Sequence, residues 1–401
     1  MVRHTTKPRE KGRVVRKNIN LGRIIIYIAI VALILLLLIY LGIIVSSKLP
    51  DSTKLNGSHQ YLLSKTQSDT KKTLVIIEEG NGKDRKISEA YLFSTNGNKK
   101  ESILIYIPGW MYFGGLEENF GNSIALSSFR YAGDFLQEGR GVEYAIWQIS
   151  QMLGIKADNY IWFSPEGIKN FSNLYGDISG VEDKFKEYYK TPDGDTLGES
   201  FFKLGVMSSR YSFFKSVANL SGLINFNKMV YSNLSFSEFL NTFATLNKTV
   251  IGTETYGLDL SFYRYSTEDL SASGGQVRYM NTGEFDKVYR RLVAKIVDRT
   301  LEKERVRVEV YNGSGVAGAA QQFGRKIENS GCDVVRYENA PKTIDRTVVY
   351  VSNEESFKNS LKIVSEVLSG SYDLVAGRPE FMTTGDIVVV LGQDIKQMYS
   401  F

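Results

Sequence analysis

The chain has 401 residues, with 49 Lys and Arg against 44 Asp and Glu, a formal net charge of +5 and 43% hydrophobic residues. That length makes two or three domains, and the balance is ordinary for a folded protein, which excludes global disorder. A single cysteine, Cys332, excludes an internal disulfide framework and a cysteine zinc cluster. The two histidines, His4 and His59, lie in polar stretches and leave no Ser-His-Asp triad, HExxH site or His-activated cysteine for one chain to build.

The charge is unevenly placed. Residues 1–23 carry eight Lys and Arg against Glu10, a balance of +7, so the remainder has +5 minus +7, or −2. From Ile24 to Val45 there is no charge in 22 residues. As a helix that run is about 33 Å long, against a hydrocarbon core of roughly 30 Å, and is expected to be a single-pass transmembrane helix. The sequence after it offers a poor cleavage site, so an uncleaved signal anchor is expected. Lys and Arg on the N-terminal flank place that end in the cytoplasm and everything after Val45 outside. The tail lacks interleaved aromatics, so nucleic acid is not an expected partner.

Residues 46–72 are polar and read as a stalk. A first buried strand is expected at Thr73–Ile77, then strands at Ala90–Ser94 and Ser102–Ile107 across a turn-rich Thr95–Asn98. Val142–Leu153 has helical spacing and stops at Gly154, a C-terminal cap signal. A strand follows at Asn159–Phe163 and a helix at Pro165–Phe171, with further helices at Ser209–Leu220 and Ser235–Leu246. The last begins with a Ser235/Glu238 capping box. Strands alternating with helices predict an α/β or α+β mixed-sheet domain over 73–300. A charged helix, Phe285–Glu304, leads to a small α/β sandwich over 305–401. Its strands are expected at Arg305–Val310, Asp333–Tyr337, Thr347–Val351 and Asp386–Leu391, and its helices at Ala317–Asn329 and Ser356–Leu368.

Gly313, Gly315 and Gly318 form a GxGxxG between strand and helix, with Asp333 twenty positions after Gly313. Read literally, this cradles a pyrophosphate at a helix N-terminus. The module is too short for two mononucleotide-binding halves, and the expected topology puts it outside the cell. Glycines permitting a tight strand-to-helix turn are the simpler reading. The stretch VEVYNGSGVAGAAQQFGRKIENSGCDVVRYENA, followed by TVVYV and IVVVLGQD, resembles the C-terminal domain found behind many LytR-CpsA-Psr proteins of bacterial cell envelopes. The resemblance covers about 305–394.

Residues 73–290 look like a divergent LytR-CpsA-Psr catalytic domain, through ILIYIPGWMYF, YAGD at 131–134, VEYAIWQISQMLGIKADNYIWFSPEGIKNF and NLSFSEFL. The resemblance implies transfer of glycopolymers from a polyprenyl pyrophosphate carrier to peptidoglycan with a divalent metal. Such chemistry needs guanidinium groups forked onto phosphates and a carboxylate. Where the family has Arg-Asp after the strand ending at Pro108, this chain has Gly109-Trp110. The family's Arg-x-Asp-Thr motif falls on Ile87-Ser88-Glu89-Ala90, and the later arginine-rich stretch keeps Arg210.

The candidate site that follows has Glu89 and Arg210 as catalytic residues. Arg85, Lys86 and Arg130 are anion-binding candidates near Lys83, Asp84 and Arg140, read either as a rebuilt site or as a solvated charged loop. Trp110, Tyr112 and Phe113, before Gly114-Gly115, either contact glycan or lipid or fill the space the arginines vacate. Asp193 and Asp195 hold a metal or make a turn, and no metal site is assigned; Mg or Mn is implied only if transferase activity survives. The expected protein is a membrane-anchored, extracytoplasmic cell-envelope pseudoenzyme that binds or scaffolds a polyprenyl lipid, in a retained apolar cavity, or wall glycan and peptidoglycan. The alternative is an active, divergent phosphotransferase.

Overall fold

The computed structural model describes residues 21–46, 48–51, 61–64, 70–96, 98–99, 101–113, 124–180, 183–212, 215–216, 219, 222, 225, 228–252, 254–270, 274–297 and 299–399. The basic tail before Leu21, His59 and Gly114-Gly115 lie outside the described residues. So do the side chains of Lys83 and Asp193.

The uncharged run forms one helix, Leu21–Ser46. Its side chains are described without a break over Ile24–Tyr40, about 25 Å of helix. Among the described residues no helix is long and apolar enough to cross a membrane.

Lys48–Phe401 is one compact unit. Its strands in chain order are β1 (Thr70–Glu79), β2 (Lys86–Asn96), β3 (Glu101–Pro108), β4 (Tyr112–Phe113), β5 (Ile124–Ala125), β6 (Asn159–Phe163), β7 (Tyr189–Lys190) and β8 (Val230–Ser232). Then come β9 (Glu254–Asp259), β10 (Ser266–Leu270), β11 (Gln276–Met280), β12 (Arg307–Asn312), β13 (Asp333–Asn339), β14 (Val348–Val351), β15 (Asp373–Ala376) and β16 (Ile387–Leu391). The large sheet has the order β7-β9-β3-β2-β1-β6-β8. Its strands β1, β3, β6, β7 and β9 run one way, while β2 and β8 run the other. Continuous apolar runs such as Leu74–Ile77 and Ile103–Ile107 suit strands covered on both faces. Helices Gly141–Leu153 and Thr282–Ile296 pack on one face. Helices Pro165–Tyr175, Lys203–Arg210 and Phe236–Gly252 cover the other, where Phe163, Phe171, Phe239 and Phe243 interlock.

Local signals account for several ends. Gly154 caps its helix at φ 61°, in the left-handed region. Ser164 accepts from the Gly167 N–H at 3.0 Å at the start of the next helix. Glu238 returns a hydrogen bond to the Ser235 N–H at 2.7 Å, completing the capping box. The expected Phe285–Glu304 helix is two helices, Thr282–Ile296 and Arg299–Glu304. Part of the expected stalk is tied down as well: Leu49 and Leu62 are buried, and Ser232 donates its N–H to the Pro50 carbonyl at 2.9 Å. A small sheet, β10-β11-β4-β5, flanks the large one.

The C-terminal sheet, β13-β12-β16-β14-β15, has mixed strands. Its Val308, Val310 and Val389 join the same buried cluster as Leu74, Ile105 and Ile149. The glycine turn is closed by its own contacts: Asn312 Oδ1 accepts from the Ser314 N–H at 3.1 Å, and Asn312 Nδ2 donates to the Val316 carbonyl at 2.7 Å. Gly315 and Gly318 hold φ near 75°, which is the conformational reason for glycine there.

Candidate functional site

The carboxyl ends of β1, β3, β6 and β9 and the start of β2 share one edge of the large sheet. Open α/β sheets bind ligands at that edge. Glu89, Arg85, Lys86 and Trp110 gather there. Glu89 is buried on β2, opposite Pro108. Its partner is Lys203, at the start of the Lys203–Arg210 helix, which forms an ion pair with the carboxylate. The Tyr91 hydroxyl lies 2.9 Å from Glu89 Oε2 and 2.6 Å from the Ser200 carbonyl. Tyr91, Tyr106 and Asp259 follow in register across β2, β3 and β9. Burial, with Glu89 alongside, pushes the Tyr91 phenol well above its usual range, and burial takes Tyr106 up to about 12. Asp259 is satisfied by the N–H groups of Gly198 and Ser261, each at 2.9 Å.

The expected anion-binding cations already have carboxylate partners. Arg85 pairs with Glu166 at 2.5 Å, Arg130 with Glu78 at 2.5 Å and Lys86 with Glu79 at 3.2 Å. Glu78 is fully buried, so Arg130 compensates a charge that would otherwise be stranded. Arg210 ends the helix that Lys203 begins, about 10 Å further along its axis. The structure therefore brings Lys203, not Arg210, to Glu89. The sequence did not single out Lys203; its only signal was its place at the start of a helix that the expected Ser209–Leu220 helix did not include.

The backbone at Gly109 leaves no room for a side chain after β3. Its N–H donates to the Ser88 carbonyl at 2.9 Å, and a Cβ would lie 2.5 Å from that oxygen and 2.6 Å from the Ile87 carbonyl oxygen. Beyond it the three aromatics separate. Trp110 is 43% exposed, Tyr112 is half-buried and Phe113 is in the core. Two residues outside the sequence expectation join Trp110. The Arg278 guanidinium lies 3.9 Å from the ring centre of Tyr263, which is 70% exposed, and 5.6 Å from that of Trp110. Tyr112 and Tyr279, in register on β4 and β11, have ring centres 5.8 Å apart. The result is an open aromatic surface ordered by a cation.

The described donors do not fit a divalent metal. Among the described residues no three His, Cys, Asp or Glu side chains cluster as ligands. Glu89 is held by Lys203, Asp259 by backbone N–H groups, and Asp195 by Arg264 at 3.1 Å. Among the described residues, little space is left in the apolar layer between the large sheet and the Lys203–Arg210 and Phe236–Gly252 helices. The space between Val75, Phe93, Ile161, Leu204 and Phe243 closes to about 10 Å³, no more than one water's room.

Residues 305–394 match a family model described as LytR cell envelope-related transcriptional attenuator, in agreement with the expected C-terminal resemblance. No curated protein matches the chain. Solved structures similar to it include the transcriptional regulator YvhJ from Bacillus subtilis, 14% identical, with a TM-score of 0.39, over 58% of this chain and 99% of that one. Lin1025 from Listeria innocua is 12% identical, with a TM-score of 0.38, over 57% and 99%. The LytR-CPS2A-psr family protein YwtF (TagT), from Bacillus subtilis and solved with octaprenyl pyrophosphate, is 13% identical, with a TM-score of 0.35, over 58% and 93%.

Proposed function

We propose that this is a membrane-anchored cell-envelope protein that binds wall glycan through its aromatic surface and does not transfer phosphate. One observation carries the reading. At the sheet edge where a phosphate clamp is expected, Arg85, Arg130, Lys86 and Lys203 are each neutralised by a carboxylate, and Arg278, paired with Glu268 at 3.4 Å, serves to order Trp110 and Tyr263, whose rings stay open. Pyranose rings present flat C–H faces that pack on aromatic rings, and the guanidinium adds hydrogen-bond donors at the rim. Anchoring is supported by the 22 uncharged residues from Ile24 to Val45, and the eight basic residues before them favour a cytoplasmic N-terminus with 48–401 outside. The C-terminal match to an envelope-related family supports the location.

The test uses the full chain in detergent. Purified wall polysaccharide is expected to bind, and Trp110→Ala or Tyr263→Ala to weaken binding about tenfold without unfolding the protein. Polyprenyl pyrophosphate with Mg²⁺ is expected to release no phosphate. Metal-dependent release lost in Glu89→Gln would establish the transferase alternative instead.

A further inference from the structure

A second site lies away from the sheet edge, where the C-terminal module meets the first. A cavity of about 140 Å³ is walled by Thr70 and Lys72 of β1, Tyr289, Val293 and Val297 at the end of the Thr282–Ile296 helix, and Ile363 and Glu366 of the Lys358–Val367 helix. That is roughly ten times the room one water needs. One wall is aliphatic, and the opposing residues are charged. Glu366 is only 4% exposed, and its Oε1 has no hydrogen-bond partner. Lys72 is 6% exposed and faces it as the largest favourable charge. Lys362, one turn before Glu366, is exposed at the rim, with Ile363 half-exposed, so the cavity opens to solvent.

A buried carboxylate oxygen without a hydrogen-bond partner is costly unless something supplies a donor, and Glu366 Oε1 is one. Burial raises the Glu366 carboxyl, while Lys72, Lys362 and Lys156 favour its charged form and Asp158 opposes it. Water alone would satisfy the oxygen but leave the aliphatic wall of Val293, Val297 and Leu301 wet. An occupant with an ammonium, a carboxylate and a short apolar body satisfies all three features.

We propose that this cavity binds a small zwitterion with an apolar side chain, a single amino acid in size and charge, with Glu366 taking its ammonium, Lys72 its carboxylate and Val293 and Val297 its side chain. The site is assembled from both modules, so binding would fasten them together. It is independent of the glycan reading.

The test is calorimetry and thermal denaturation of the full chain in detergent with leucine, beside isoamylamine, which lacks the carboxylate, and isocaproate, which lacks the amine. Leucine is expected to bind and raise the melting temperature, and each half-molecule to bind at least about tenfold more weakly, since each forfeits a charge-assisted contact. Lys72→Met and Glu366→Gln are expected to weaken leucine about tenfold. Ile363→Trp, which fills the mouth and leaves both charges, is expected to abolish binding in a protein with an unchanged circular dichroism spectrum. Absence of leucine binding up to millimolar concentration, or equal binding of either half-molecule, overturns the proposal. So does leucine binding that survives Ile363→Trp.

Discussion

Arg325 of the C-terminal module grips Asp286 of the first with both ends of its guanidinium, Nε to Oδ2 at 2.6 Å and Nη2 to Oδ1 at 2.9 Å. The same group donates to the carbonyls of Gln151 and Met152 at 2.9 and 3.0 Å, the last turn of the Gly141–Leu153 helix. Orphan carbonyls and the negative end of a helix dipole are thereby met by a positive charge. Gly154 makes room, because a Cβ there would lie 2.9 Å from Arg325 Nε. Both charged side chains are nearly buried. Arg325→Met is expected to cost about 3–5 kcal/mol in urea unfolding, and Arg325→Met with Asp286→Leu less than the sum of the single changes. Additive losses would show that the pair is not coupled.

Gly109 fixes the chain after β3 against β2. Gly109→Ala is expected to destabilise by about 1–3 kcal/mol, because the new methyl meets two backbone oxygens that cannot rotate away. Gly109→Arg, with a longer side chain at the same place, is expected to be worse. An unchanged melting temperature in Gly109→Ala would mean that the β2–β3 edge yields freely.

Much of this architecture is written locally. The Asn159–Phe163 strand, the Gly154 cap and the Ser235 capping box each depend on residues within a few positions, and the sequence places them well. Strand β9 escapes because Glu254-Thr-Tyr-Gly-Leu-Asp259 is short, contains glycine and begins and ends with a charge, and is buried only by its neighbours. Strand β10 is mostly polar and exposed, so no hydrophobic alternation marks it, and β11, Gln-Val-Arg-Tyr-Met, is mostly half-buried and alternates over too few residues to stand out. The site divides in the same way. Glu89 and Trp110 are visible from their neighbours in sequence. Lys203 is 114 positions from Glu89, and Arg278 and Tyr263 reach Trp110 only because β11 pairs beside β4.

The Glu89–Lys203 pair is expected to be structural. Lys203→Met strands a buried carboxylate and is expected to cost about 2 kcal/mol, while Glu89→Gln with Lys203→Met recovers at least half of that, because the amide needs no counter-charge. Glycan binding is expected to be unchanged in both. A double variant as unstable as Lys203→Met, measured by denaturant midpoint, would refute a purely electrostatic role for Lys203.

Lys326 supplies a pH dependence of definite sign. It lies on the Ala319–Glu328 helix with its ammonium 5.6 Å from the Phe323 ring centre. Burial, with Arg325 adding repulsion, lowers its pKa to about 7. Unfolding returns it to the ordinary lysine value, so between pH 7 and about 10 the unfolded chain holds a proton that the folded chain has lost. Stability from this group therefore rises with pH across that window and is flat below it, where both states are charged. Lys326→Met is expected to stabilise the protein most at pH 6 and to remove the slope between pH 7 and 9. Urea midpoints for the two proteins at pH 6, 7, 8 and 9 decide it: parallel curves would mean that the ammonium reaches water in the folded state and titrates as it does when unfolded.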